Sequence, residues 1–195
     1  MHGNYRRAEL DSYFGGQLQV AVEIDSNGDN RNWYAVYVKS RHEKKVVDQL
    51  QEKDIQHYLP LKKEVRQWSD RKKLVELPLF TGYVFVKIHP SMQVPVLETY
   101  GTVAFIKFAG KLVPIREEEI ESVKTVEKYG VGLRQENVDF GLEDRVRVTS
   151  GPCRGLEGYI VHQKKSNRFV VVIDSLKLGA SVEIEQESLE KVKGD

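Results

Sequence analysis

The spacing of apolar segments changes near residue 130, and this change constrains the fold more than any other feature of the chain. Up to about residue 128, apolar segments of strand length alternate with amphipathic segments of helix length. From residue 141 onward, short apolar segments are separated by turns that contain glycine. We therefore expect an α+β domain, with helices packed on an antiparallel sheet, followed by a small all-β barrel, because closure removes exposed strand edges.

Four segments follow from this pattern. Residues 1–31 form an N-terminal arm, in which LQVAVEI alternates as a strand would. Residues 32–128 form the α+β domain and residues 141–195 the barrel. Residues 129–140, YGVGLRQENVDF, contain two glycines and neither a helical nor a strand period, so we expect a linker there.

Two segments of the first domain have helical patterns. In SRHEKKVVDQLQEKDI, Ser40 is placed as an N-cap with Glu43 three residues on, which predicts a capping box. In REEEIESVKTVEKYG, acidic residues fill the first turn and Gly130 follows the last, as the helix dipole and C-cap rules prefer. The acidic run 117–119 therefore indicates a helix N-terminus rather than a metal site.

The alternation is clearest in GYVFVKI. Val84, Val86 and Ile88 fall on one face of a strand and make an ordinary core face. Tyr83 and Phe85 fall on the other face, where a one-sided sheet would carry polar residues. These two rings raise the question of what covers that face.

Composition excludes several classes of protein. Apolar residues make up 40% and charged residues 30% of the chain, and the formal net charge is +1, so overall charge favours no particular partner. The single cysteine, Cys153, excludes an intramolecular disulfide and fits a reducing compartment. No apolar run approaches the roughly 18 residues that span a bilayer. We expect a cytoplasmic protein without a membrane anchor.

No arrangement of side chains indicates catalysis. The five histidines are scattered and have no metal-ligand spacing with cysteine. Arg154 next to Cys153 could lower the pKa of the thiol, but no base is placed beside it. We expect no enzymatic activity, no cofactor and no metal.

Charge is concentrated in the middle of the chain, where residues 39–73 contain 11 Lys and Arg against 6 Asp and Glu. The stretch KKEVRQWSDRKKLVEL predicts two strands with a turn at Ser69 and Asp70, a hairpin rich in Lys and Arg. Cations interleaved with an aromatic residue suit single-stranded nucleic acid, because cations follow phosphates and a ring stacks on a base. The alternative is ordinary solvated surface charge, with Trp68 as a packing residue. The candidates are Lys39, Arg41, His42, Lys44, Lys45, Arg66, Trp68, Arg71, Lys72 and Lys73.

Two motifs together resemble a known family. WYAVYVKSRHEKKV, PLFTGYVFVKI and VAFIKFAGKLVPI, in that order, resemble the N-terminal (NGN) domain of NusG-type transcription elongation factors. GLEDRVRVTSGPCRGLEGYI resembles a KOW motif, which implies an SH3-like barrel. The stretch YLPLKKEVRQWSDRKKLVELPLF is similar to the UpxY-type specialised paralogues, which are dedicated to surface-polysaccharide operons. Two departures stand out: Thr81 replaces the usual proline, and Tyr100 replaces an arginine of RfaH-type proteins.

The resemblance implies a surface for RNA polymerase. In the family, the face that carries the tyrosine docks on the clamp helices of the polymerase, so the rings on that face should be exposed in the free protein. Candidates on the other side of the sheet should be core. The alternative is that all of these aromatic residues are core. The polymerase-binding candidates are Trp33, Tyr34, Phe80, Gly82, Tyr83, Phe85 and Phe105.

The resemblance also implies nucleic-acid and protein partners. The non-template DNA strand would pass the cationic residues, although the hairpin could instead contact the gate loop of the polymerase. The barrel would bind a NusE-class ribosomal protein or the termination factor Rho, and the protein would act as a monomer. Leu176 and Leu178 are either part of that surface or core. The KOW candidates are Gly151, Pro152, Gly155, Gly158, Leu176 and Leu178.

The function that this implies is antitermination and elongation control, specific to a surface-polysaccharide operon. The first alternative is a housekeeping NusG-type factor. The second, of a different class, is a ribosome-associated KOW protein that binds RNA.

Overall fold

The computed structural model describes residues 31–68, 71–138, 144–163 and 166–192 of the 195-residue chain. The expected strand LQVAVEI in the N-terminal arm lies outside the described residues, as does the turn expected at Ser69 and Asp70.

The first half contains three α-helices and eight strands within the described residues. The helices are α1 (Glu43–Glu52), α2 (Gln93–Leu97) and α3 (Glu117–Tyr129). The strands are β1 (Asn32–Val38), β2 (His57–Tyr58), β3 (Leu61–Gln67), β4 (Lys72–Pro78), β5 (Tyr83–Ile88), β6 (Thr102–Phe105), β7 (Lys107–Phe108) and β8 (Lys111–Leu112).

A four-stranded sheet in the order β2-β5-β1-β6 forms the centre of this half. β1 and β5 are antiparallel, with Tyr37 opposite Tyr83. β3 pairs with β4 as a separate hairpin, in agreement with the sequence prediction, and β7 pairs with β8.

The central sheet has two buried faces. Val36 and Val84 belong to one core cluster, together with Val46 and Leu50 of α1. Trp33 and Phe85 belong to a second cluster, together with Ile120 of α3. Strands covered on both faces read as continuous apolar runs, which explains the sequence WYAVYV.

The second half consists of strands and short 3-10 turns. Its strands are β9 (Val131–Asn137), β10 (Asp144–Val148), β11 (Glu157–Gln163), β12 (Ser166–Ile173), β13 (Leu178–Glu183) and β14 (Leu189–Lys191). They form one antiparallel sheet in the order β14-β10-β11-β12-β13-β9. The predicted fold class is therefore confirmed: an α+β region with antiparallel sheets precedes a strand-rich region of the kind expected for a KOW domain.

The expectation that residues 129–140 lack regular structure is wrong. Val131–Asn137 form β9, which pairs with β13 at the edge of the six-stranded sheet. Arg168 stabilises this pairing from β12: its guanidinium donates to the carbonyl oxygen of Gly132 and to the hydroxyl and carbonyl oxygens of Ser181. Only Gly130 lies between α3 and β9, so residues 131–137 of the expected linker are part of the second sheet.

The two halves are in contact through α3. Arg116 Nη2 lies 2.9 Å from Asp174 Oδ2, and the backbone N–H of Asp174 donates to Glu119 at 3.3 Å. Trp33 of the first half and Phe169 of the second fall in one continuous core cluster. The division into separate domains stays a prediction.

The capping box predicted for α1 is wrong. His42, not Ser40, is the N-cap, and Arg41 before it has a left-handed backbone conformation with φ of 64°. Glu43 is instead buried, and its carboxylate accepts the backbone N–H of Gly82 at 2.8 Å. The first turn of α1 thereby fixes the turn that leads into β5.

Candidate functional site

The aromatic residues expected on the exposed face are buried, so this expectation is wrong for the structure. Every one of the six predicted rings is at most 9% exposed. Trp33, Phe80, Tyr83 and Phe85 lie in the cluster shared with α3 and the second sheet. Tyr34 and Phe105 lie in the cluster beneath α1, where their rings pack edge to face at 6.4 Å.

Helix α3 covers the face that carries Trp33. The indole Nε1 donates to Glu117 Oε2 at 2.9 Å, and Lys124 Nζ lies 5.4 Å from the centre of the indole. Lys87 also binds Glu117, at 2.8 Å. Burial alone raises the pKa of Glu117, but the hydrogen bonds from Lys87 and Trp33 outweigh it and hold the pKa below its usual range. A charged carboxylate therefore connects α3 to the sheet.

Tyr83 lies at the rim of this buried face. Its ring packs edge to face on Tyr37, with centroids 5.7 Å apart. Gly82 before it has φ of 84°, a conformation that favours glycine, and a Cβ there would lie 3.1 Å from the Tyr37 ring. The turn therefore requires glycine at position 82 although Thr81 replaces the usual proline.

The cationic residues at the start of α1 form an exposed patch. Lys39, Arg41, Lys44 and Lys45 are exposed, and His42 is half-buried. Residues far apart in sequence add an aromatic ring that sequence reasoning missed: the ring of Tyr100 is 66% exposed, with Lys39 Nζ 5.3 Å from its centre.

Tyr100 is held in place by α1. The His42 ring packs edge to face on the Tyr100 ring at 5.8 Å. The Gln49 side chain donates to the Tyr100 carbonyl oxygen at 3.0 Å and accepts its backbone N–H at 3.2 Å. No local sequence signal marks this role, because only the fold brings the loop that carries Tyr100 next to Lys39. We call Lys39, Arg41, His42, Lys44, Lys45 and Tyr100 the α1 patch.

The hairpin of β3 and β4 carries different chemistry on its two faces. Val65 and Leu74 are directly opposite and exposed on one face. Arg66 and Lys73 are directly opposite on the other, an arrangement of like charges that destabilises a strand pair in the absence of an anion. Glu64 lies 3.5 Å from Arg66 and offsets part of this repulsion.

The end of the hairpin is also exposed. Arg71 and Lys72 are exposed, and Trp68 is 56% exposed. Trp68 is therefore not a packing residue within the described part of the chain. Its side chain is available to stack on a base, next to the cations that the sequence prediction grouped with it.

The glycines of the second half have the predicted roles in turns. Gly151 and Gly155 have φ of 76° and 89° on either side of the exposed Pro152. A Cβ at Gly158 would meet the Phe169 ring and the carbonyl oxygen of Val170, so the strands approach closely there.

Leu176 and Leu178 are buried in the core, so the prediction that they belong to an exposed partner surface is wrong. Lys177 between them is exposed in a left-handed conformation.

Cys153 is not an activated thiol. It is 7% exposed, and burial raises the pKa of the thiol, which opposes the lowering that Arg154 was expected to cause.

The described residues contain no cluster of His, Cys, Asp and Glu suited to a metal. None of the helices in the described ranges is long and apolar enough to cross a membrane.

Comparisons with known proteins identify the family. The family model "Transcription termination factor nusG" matches residues 31–124. The chain is similar to the transcription termination/antitermination protein NusG of Bacillus subtilis, with 31% identity over 145 residues, 67% of this chain and 80% of the relative. It is also similar to NusG of Halalkalibacterium halodurans, with 28% identity over 83% of this chain and 99% of the relative.

A solved structure described as "Domain interaction in Thermotoga maritima NusG" covers 84% of this chain and 98% of its own, with 21% identity and a TM-score of 0.49. The fold is that of a mixed α+β protein with a strand-rich second half, and the described residues expose patches of cationic and aromatic side chains. The sequence relationships show that the chain belongs to the NusG family of transcription termination/antitermination proteins.

Proposed function

We propose that this protein is a transcription antitermination and elongation factor that binds RNA polymerase and the non-template DNA strand. The observation that supports it most directly is the α1 patch. There the exposed ring of Tyr100, whose backbone forms two hydrogen bonds with the Gln49 side chain, lies among exposed cations. Cations neutralise phosphates and a ring stacks on any base, so such a patch suits a single strand without requiring a fixed sequence. The exposed cations and Trp68 of the hairpin extend the same chemistry.

Constraint of the non-template strand explains how such a factor acts. A protein that holds the separated strand and the clamp in one arrangement favours the elongating state to the extent that it binds that state more tightly. Pauses then shorten and terminators are passed. A hairpin that contacts the gate loop of the polymerase would add to this preference, and its exposed apolar pair of Val65 and Leu74 suits a protein contact.

Contact with the polymerase clamp through the aromatic face requires a rearrangement. The rings are enclosed with α3 and the second sheet in one core, so a partner reaches them only when those elements move away. We infer that Tyr83, at the rim, becomes accessible first. Moving these elements costs free energy, so only a fraction of the molecules is in the open form. The apparent affinity for the polymerase is the affinity of the open form multiplied by that fraction.

The second half would recruit a further partner, a NusE-class ribosomal protein or Rho. Because Leu176 and Leu178 are core residues, we assign this contact to the exposed residues around Lys177. With β9 paired to β13, Gly130 alone connects α3 to the second half, so the second half would stay near the first even after the rearrangement that frees the rings.

The deciding experiment is recovery of partners on the full-length, tagged protein from cells, followed by mapping of its occupancy on the chromosome. Recovery of RNA polymerase supports the proposal, whereas recovery of a ribosomal subunit without polymerase would favour a ribosome-associated KOW protein. Occupancy at one surface-polysaccharide locus supports the UpxY-type, operon-specific role. Occupancy across all transcribed genes would support a housekeeping role, which the names of the curated relatives favour.

A further inference from the structure

A cleft of about 850 Å³ lies where the hairpin, α3 and β9 meet. It is bounded on one side by the base of β3 and β4 and on the other by the first residues of β9, so both halves of the molecule contribute to it. Its volume falls within the range of small-ligand sites. The charged residues that line it are Lys62, Lys63, Glu64, Glu76, Lys124, Glu127, Lys128 and Arg134.

Two of the three carboxylates in the cleft already have partners. Glu127 accepts the Tyr58 hydroxyl at 2.5 Å and the backbone N–H of Leu61 at 2.7 Å. Burial, and then this hydrogen bond, raises the pKa of Tyr58, so its hydroxyl remains a donor to Glu127. Glu64 lies 3.8 Å from Lys62 and 3.5 Å from Arg66. Negative charge in the cleft is therefore largely satisfied within the protein.

The cations are less fully paired. Arg134 is exposed and forms no ion pair with another residue in the described parts of the chain, and Lys62 shares Glu64 with Arg66. Lys63 lies directly opposite the third carboxylate, Glu76, across the strand pair. Lys128 Nζ lies over the neighbouring Tyr129 ring, at 4.8 Å. Burial lowers the pKa of Arg168, and repulsion from the nearby Arg134 lowers it further. An anion beside Arg134 would relieve this repulsion.

The cleft continues onto the cationic face of the hairpin. Lys62 lines the cleft and lies on the same face of the strand pair as Arg66 and Lys73, whose side chains are directly opposite each other. Cations therefore follow one line from β9 to the end of the hairpin, where Trp68 is exposed. A linear polyanion with stackable bases matches this line better than a compact anion does.

We propose that this cleft binds the phosphodiester backbone of a single-stranded nucleic acid, with Lys62 and Arg134 as the main phosphate contacts. The site is separate from the α1 patch and requires no polymerase, so the inference goes beyond the proposed function. Because β9 contributes Arg134, the site exists only while β9 is paired with β13. Binding at the cleft therefore favours the arrangement in which the two halves are in contact.

The test measures fluorescence anisotropy of the full chain with labelled single strands of about 12 nucleotides, a length within the usual site sizes. The test variant is Lys62→Gln with Arg134→Gln. The control, Lys111→Gln with Arg154→Gln, removes the same charge from exposed residues that do not line the cleft. Circular dichroism and thermal midpoints establish that both variants fold.

We expect the test variant to bind about 10-fold more weakly and the control to bind nearly as wild type does. The slope of log Kd against log salt should fall by about 1.4 in the test variant, because each phosphate contact contributes about 0.7 on a single strand. Parallel measurements with DNA and RNA strands identify the source: equal losses indicate recognition of the backbone alone, and a loss on one strand type identifies that type as the ligand. Equal binding by the test variant and the control, on both strands, overturns the proposal.

Two further measurements separate this site from others. Lys44→Gln with Lys45→Gln removes charge from the α1 patch; if this pair alone weakens binding, the cleft assignment is wrong and the proposed DNA surface stands. Conversely, loss in the cleft variant alone supports the cleft and counts against the α1 patch. Labelled polyglutamate tests the remaining class of ligand: if the wild type binds it more tightly than it binds either nucleic acid, and the cleft variant loses that binding, the site is one for acidic peptides.

Discussion

Gly130 and Val182 are in such close contact that a methyl group at position 130 would overlap the Val182 side chain. Gly130 follows the last residue of α3 with φ of −75°, a conformation open to any residue. The glycine is therefore required by space and not by backbone conformation. It lets the end of α3 lie directly against β13 of the second sheet.

Replacement of Gly130 by Ala should destabilise the contact between α3 and β13. The added methyl group also meets the carbonyl oxygen of Val126, so strain of about 1–3 kcal/mol is expected in the free energy of unfolding, measured by urea titration. In a Val182→Ala background the same replacement should cost less, because the smaller side chain makes room. Equal costs in the two backgrounds would show that Val182 does not limit the contact.

Arg168 should contribute strongly to stability. It is 1% exposed and connects β12 to β13 and β9 through Ser181 and the carbonyl oxygen of Gly132. Replacing it with Met removes the guanidinium from Glu183 and from Glu136, which keeps the Ser181 hydroxyl, and it takes a donor from the carbonyl oxygens of Gly132 and Ser181. Leaving a buried hydrogen-bonding group unsatisfied costs about 1–3 kcal/mol. Urea titration of Arg168→Met measures this.

The control for this prediction is Arg145→Met, which removes an exposed arginine that pairs with Glu157. Exposed pairs contribute about 1 kcal/mol or less, so this variant should stay close to wild type. Similar losses in the two variants would contradict a special role for Arg168. Amide exchange of β9 should also accelerate in Arg168→Met, because the Gly132 carbonyl oxygen loses its donor.

The outcome for β9 shows where sequence reasoning was limited. Apolar and turn patterns predicted the α+β half and the strand-rich half, because periodicity reports which side of an element is buried. In β9 the pattern is short: Val131 and Leu133 alternate with Gly132 and Arg134, but the last three residues are polar. Its pairing is also supported by Arg168, which is distant in sequence. Support from a distant buried guanidinium has no local signal.

The functional surface was predictable only in part. The cations of the α1 patch follow one another in sequence, so composition identified them, but Tyr100 joins them only through the Gln49 hydrogen bonds. Four of the six aromatic residues share one face and are covered by α3 and the second sheet, whereas Tyr34 and Phe105 lie on the other face beneath α1. Alternation shows that a face is apolar and does not show which part of the same chain covers it.

The Glu117 carboxylate should make stability depend on pH. Its pKa is held below the usual range in the folded protein, so the stability it contributes is present above the unfolded pKa of about 4.3 and is lost as pH falls through the folded value. Glu117→Gln should lower the free energy of unfolding at pH 7 by about 1 kcal/mol or less, since the carboxylate is partly exposed. At low pH the variant and the wild type should converge; a constant difference across the range would assign the loss to packing.

Tyr83→Ala should reduce stability and not only partner affinity. The ring is 9% exposed and packs on Tyr37, so its removal leaves a cavity, and truncation of a buried aromatic residue costs about 3 kcal/mol or more. Tyr83→Phe keeps the ring and should stay close to wild type in thermal melts. A Tyr83→Ala protein as stable as wild type would mean that the ring is not packed in solution, and would favour an open aromatic face.

Tyr100→Ala should weaken binding to single-stranded DNA without a loss of stability. The ring is 66% exposed, so little packing is lost, whereas stacking on one base is worth about 1–3 kcal/mol, or roughly 5- to 150-fold in Kd. Tyr100→Phe retains the stacking face and should bind nearly as wild type does. Val103→Ala, at another exposed apolar side chain, is the control for general loss of surface. Anisotropy with a labelled strand distinguishes these cases: if Tyr100→Ala and Val103→Ala bind alike, the ring does not stack on a base and the α1 patch acts through charge alone.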